Sequence, residues 1–126
     1  MARAQQDVKK FFTGYPQSYR IYNAIERAAR ELGPMEVSVS PSQVSFRTRR
    51  AFAWTWIPAH YPDGDRPPLV LSIALRRKDK SERWNEVVAP RSGWFMHHLE
   101  LTSEAEVDDD VTAWLRESRE LVDTVE

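Results

Sequence analysis

Residues 35–48 read M-E-V-S-V-S-P-S-Q-V-S-F-R-T. Met35, Val37 and Val39 alternate with Glu36, Ser38 and Ser40; beyond the Pro41-Ser42 turn, Val44, Phe46 and Thr48 alternate with Ser45, Arg47 and Arg49. A period of two places apolar side chains on one side of an extended chain and polar ones on the other, so this stretch predicts an antiparallel hairpin with one wet face. The run that follows, Ala51 to Ile57, is apolar on both sides. It predicts an interior strand covered on both faces, with Phe52, Trp54 and Trp56 pointing one way and Ala51, Ala53, Thr55 and Ile57 the other.

Working outward, Leu69 to Leu75 predicts a fourth strand, with Leu69, Leu71, Ile73 and Leu75 on one face and the small side of Val70, Ser72 and Ala74 on the other. Trp94 to Leu101 predicts a fifth, and Trp84 to Val88 reads as a short helical turn. Helical spacing appears at both ends of the chain. A helix over about Ala4–Thr13 carries Val8, Phe11 and Phe12 on one side and stops at Gly14. A second starts at Pro16, whose fixed φ suits a first turn, carries Tyr22, Ile25, Ala29 and Leu32, and ends at Gly33-Pro34. The last helix is capped by Asp108 and stapled by Val107 and Val111, with a core stripe of Val111, Trp114 or Leu115, Ser118, and Leu121 or Val122. These elements predict one α+β domain over residues 1–126: a five-stranded antiparallel sheet with two N-terminal helices and one C-terminal helix.

The 126 residues contain no cysteine, which excludes disulfides, thiolate metal sites and a cysteine nucleophile. No apolar run approaches the roughly 18 residues of a membrane-spanning helix, and the polar start lacks a signal-peptide core, so a cytoplasmic protein without membrane contact is expected. The net charge of −1 hides an asymmetry: residues 1–50 carry nine Lys/Arg against four Asp/Glu, and residues 101–126 carry two against nine. Such a split can draw a polyanion to one side; a terminal helix with an acidic solvent face is the simpler reading.

Two of the three histidines, His97 and His98, are adjacent on the fifth strand. Neighbours on a strand project to opposite faces, so they cannot chelate one ion together, and no metal or cofactor is expected. His97, grouped with Phe95, Leu99 and Leu101, reads as a core histidine with a hydrogen-bond partner. His98 shares its face with Trp94, Met96 and Glu100, close enough for the carboxylate to orient the imidazole as a general acid or base. The third histidine, His60, belongs to a distant polar loop, and the four glycines are too dispersed for a phosphate-cradling motif.

Four segments, V-S-F-R-x-R-R-x-F-A-W-x-W (44–56), R-W-x-E-V-V (83–88), W-x-M-H-H-L-E-L (94–101) and V-D-D-D-V-x-x-W-L-R (107–116), resemble an uncharacterised bacterial domain family catalogued only as a domain of unknown function. The similarity runs from about Asp7 onward. It implies an α+β fold and a small stand-alone or appended module, and brings no catalytic residue with it.

Three functions are compatible with these patterns. The first is a binding or accessory module that accepts a small molecule or a protein partner at an aromatic sheet face formed by Trp54, Trp56, Trp94, His98 and Glu100, where Ser72 and Ala74 leave room. Its competitor is a helix packed over that face. The second is nucleic-acid or polyanion binding through Arg47, Arg49 and Arg50 with Arg76, Arg77, Lys78 and the rest of the loop to Arg83, and Trp84 or Tyr61 stacking on bases. It ranks lower because the pI is about 6.3. The third is an enzyme using His98 and Glu100 as acid and base. An exposed Trp-rich face is also compatible with a homodimer as well as a monomer.

Overall fold

The computed structural model describes residues 2–58 and 66–124. Two helices, α1 (Ala2–Phe11) and α2 (Pro16–Glu31), precede six strands: β1 (Glu36–Val39), β2 (Val44–Arg47), β3 (Ala51–Trp56), β4 (Leu69–Leu75), β5 (Glu86–Arg91) and β6 (Trp94–Leu101). A short 3₁₀ turn, Glu104–Glu106, leads into α3 (Asp109–Thr124). The strands form one sheet in the order β1-β2-β3-β4-β6-β5, every pair antiparallel. The α+β class is as the sequence predicts, with six strands in place of five.

The extra strand is the segment read as a helical turn. Glu86, Val87 and Val88 pair with His98, His97 and Met96, and the run reaches Arg91 opposite Trp94. Two consecutive valines favour the extended chain. Pro90 is tolerated because β5 is an edge strand with no further neighbour to receive its missing N–H.

All three helices lie on one side of the sheet. Tyr22 of α2 packs between Phe12 and Phe46, with ring centroids 5.0 and 5.9 Å away. Ser18 Oγ donates to the Pro68 carbonyl at 2.6 Å. From α3, Val111, Trp114, Leu115, Ser118 and Val122 are buried, and Ser118 Oγ donates to the Phe52 carbonyl at 2.8 Å. Asp108 caps α3 through the Val111 amide at 3.3 Å. Beneath these helices lie Val44, Phe46, Leu69, Leu71, Ile73, Leu75, Leu99 and Leu101, all in one buried cluster.

Phe52 departs from the alternation expected of it. Phe46 pairs with Ala53 but Arg47 pairs with Ala51, so β3 carries a bulge at Phe52. The extra residue breaks the parity, and Phe52 and Ala53 are both buried on the helix side, with Phe52 6.4 Å from Phe46. Trp54 and Trp56 remain on the other side. There, Trp54 pairs across β4 with Ser72, which pairs in turn with His98 of β6. β3 is thus an interior strand, but no described helix covers its tryptophan face.

Candidate functional site

The helix-free side is built around the short side chains of β4. Ser72 and Ala74 stand between the tryptophans of β3 and the Met96 and His98 side chains of β6, and their small size leaves the aromatic rings half-buried over shallow hollows. One hollow, about 270 Å³, is lined by Ala51, Trp54, Ala74, Pro90, Trp94 and Met96, together with Phe95 and the α3 residue Val122. Arg50 and Arg91 also line it, and no carboxylate does. The other, wider and more polar, is bounded by Trp56, Val70, Asn85, Glu86, His98 and Glu100.

Five residues named from the sequence are therefore brought to one side but divided between two hollows: Trp54 and Trp94 in the first, Trp56, His98 and Glu100 in the second. What the sequence did not reveal is the contribution of Ala51, which the bulge returns to the Trp54 side, and of Pro90 and Arg91, which arrive on the unforeseen β5.

The partner of His98 also differs from expectation. Among the described residues no hydrogen bond joins His98 to Glu100. His98 Nδ1 instead lies 2.7 Å from Ser72 Oγ, which accepts from the Trp56 indole N–H at 3.1 Å. The serine oxygen has a second lone pair and its own proton, so it pairs with Nδ1 in either tautomer of the neutral ring. The Trp56 and His98 rings meet edge to face at 6.3 Å. Ser72 is 4% exposed, so its oxygen is shielded from an approaching substrate. The chain Trp56–Ser72–His98 ties two rings to one serine.

His97 is the core histidine the alternation predicts. It is fully buried, its Nε2 accepts from the Asp79 amide at 3.0 Å and Nδ1 lies 3.1 Å from the Phe95 carbonyl, to which it donates. Trp84 packs on it at 4.8 Å and meets Trp114 in a tilted contact at 4.2 Å. Trp84 is accordingly part of the helix-side packing, and is not the exposed base-stacking ring of the polyanion reading; Tyr61 and His60 lie outside the described residues.

The basic segments come apart in the same way. Arg77 makes a two-pronged ion pair with Glu117 of α3 at 2.8 and 2.9 Å and also meets Asp79. Arg83 binds Asp108 at 2.9 and 3.0 Å and the Glu106 carbonyl at 3.0 Å. Burial pushes the Asp79 carboxyl up, but the Trp84 indole, the Ser81 amide and Arg77 outweigh it and hold the group below the usual carboxylate range. The acidic C-terminal segment is thus in part the internal counterion of the 76–83 loop. Arg47, Arg49, Arg76 and Lys78 remain exposed, and Arg76 lies over the Trp94 ring at 5.0 Å. Gly93 admits it: the turn needs φ +83 there, and a Cβ would stand 3.1 Å from the Arg76 guanidinium.

A family profile described as Domain of unknown function (DUF5655) matches residues 8–122, from α1 to the last core residue of α3. The chain belongs to this family. No curated protein and no solved structure matches it. Within this DUF5655 domain, no described helix is long and apolar enough to cross a membrane, and no three described His, Asp or Glu side chains are grouped to hold a metal ion.

Burial lowers His97 and His98 of the DUF5655 domain from their ordinary value of 6.5, opposed at His97 by the Phe95 carbonyl and Asp79 and at His98 by Glu86. A fold that keeps its imidazoles neutral binds fewer protons than the unfolded chain below that pH. The corresponding stability is complete above about pH 6.5 and is lost as pH falls through the folded-state values. For His97 the slope reaches up to about 1.4 kcal/mol per pH unit. Urea denaturation is expected to give lower stability at about pH 5.5 than at about pH 7.5, with a smaller difference in His97→Gln. Equal pH dependence in the two proteins would contradict this role for His97.

Proposed function

We propose that this domain is a non-catalytic binding module that takes a small ligand on the helix-free side of its sheet, around Trp54, Trp56, Trp94, His98 and Glu100. The observation that carries the reading is the apolar hollow of about 270 Å³ between Trp54 and Trp94, which α3 borders through Val122 without filling it. Close to the lower end of the range for small-molecule sites, it combines aromatic walls with a few charged groups at fixed positions. The Trp56–Ser72–His98 hydrogen-bond chain supports it, because it holds one edge of the same side rigid.

Screening a metabolite library by tryptophan fluorescence and thermal melting tests the proposal. A true ligand at about 100 times its dissociation constant adds about 2.7 kcal/mol to stability and raises the melting temperature accordingly. Unchanged emission and melting across the library would count against it. Polyanion binding is the second reading, supported by Arg47, Arg50, Arg76, Lys78 and Arg91, which the strand register gathers at one end of the sheet. Its signature in the same measurements is an affinity that falls steeply with salt.

A further inference from the structure

We infer that the hollow between Trp54 and Trp94 takes an organic anion, with a flat apolar group seated against Ala74 and Met96 and a carboxylate or phosphate held by Arg50 and Arg91. The inference rests on the proposed binding function and specifies its ligand class. Four observations combine.

The first is the lining: apolar throughout except for two guanidinium groups, with no acid to neutralise them. The second is the state of those cations. Among the described residues neither Arg50 nor Arg91 has a carboxylate within 4.0 Å, in contrast to Arg30, Arg77 and Arg83, which are all ion-paired. Arg76, likewise without a described carboxylate partner, adds a third positive charge beside the same wall through its contact with Trp94. A planar guanidinium fork suits the two-pronged recognition of carboxylate or phosphate oxygens.

The third is the neighbouring hollow, whose lining includes Glu86 and Glu100 and no Lys or Arg. The helix-free side therefore has a cationic end and an acidic end, and an anion is drawn to the first and repelled from the second. The fourth is size. An apolar void of about 150 Å³ accepts benzene; the hollow here measures about 270 Å³, which suits a fused two-ring group better than an extended chain. Trp54 and Trp94 supply the aromatic surfaces on which such a group packs in offset or edge-on geometry.

Titration calorimetry with four probes of one shape separates these ideas: 1-naphthoate, 1-naphthyl phosphate, the neutral naphthalene-1-methanol and the cationic 1-naphthylmethylammonium. At least one of the two anions is expected to bind about tenfold or more tightly than the neutral probe, and the cation to bind weakest. Arg50→Gln combined with Arg91→Gln should erase that preference, so that neither anion binds more tightly than the neutral probe. If the neutral probe binds the natural protein as well as either anion does, the anion assignment fails and the hollow survives as an apolar site. If none of the four binds, the binding function falls together with the inference.

Discussion

Leu71→Ala is expected to destabilise the protein by about 2–5 kcal/mol, whereas Trp54→Ala, on the adjacent strand and the opposite side of the sheet, is expected to cost about 1–2 kcal/mol. The larger residue gives the smaller loss because the two sides of the sheet differ in what covers them. Leu71 is fully buried within the helix-side cluster, next to Thr55 across β3 and Leu99 across β6. Truncating it opens a void that close-packed neighbours cannot fill. Trp54 is only half-buried and lines a hollow that already exists, so its removal enlarges that space and costs mainly the area shielded by the indole. Urea denaturation of both variants, with unchanged slopes, checks the difference. Equal losses would mean that the tryptophan side is a second core.

Ala74→Phe is the matching prediction for the site. Ala74 is buried at the floor of the hollow, between the β3 and β6 walls. A ring added there occupies the space assigned to the ligand, so binding of 1-naphthoate should weaken by about a hundredfold or more, equivalent to about 2.8 kcal/mol or more. Because the ring enters an existing hollow open to solvent, it displaces no packed side chain. The melting temperature should stay level or rise, which distinguishes a blocked site from a damaged fold. A large loss of stability would show that the space beside Ala74 is packed in solution.

Much of the architecture was legible in the sequence because both of its periodicities are strongly marked. Alternation in Val37–Val39, Val44–Phe46 and Leu69–Leu75 placed three strands, and the Pro16, Gly33-Pro34 and Asp108 signals placed two helices closely. The alternation in Trp94–Leu101 also separated the two histidines, and His97 is the satisfied core residue that this parity requires. Three features were hidden. β5 is a short edge strand containing a proline, and its identity depends on pairing with β6, which is a tertiary property. The bulge at Phe52 turns on how Phe46 and Arg47 meet β3, and no residue type announces it. The hydrogen bond between Ser72 and His98 follows from strand register over 26 residues, whereas the sequence drew attention to the nearer Glu100. The helix-free side was visible only as a choice between an open face and a covered one, because apolar residues on both sides of Ala51–Ile57 fit either.

That choice is also where the functional account is most exposed. A two-dimensional ¹H–¹⁵N titration of the labelled protein with 1-naphthoate reads it residue by residue. Shifts are expected at Ala51, Trp54, Ala74, Trp94 and Met96, including the two indole N–H signals, with the α2 and α3 core residues Ile25, Ala29 and Leu115 unmoved. Shifts centred on those helices, or none at all with the probe in large excess, would contradict a ligand site on this side of the sheet.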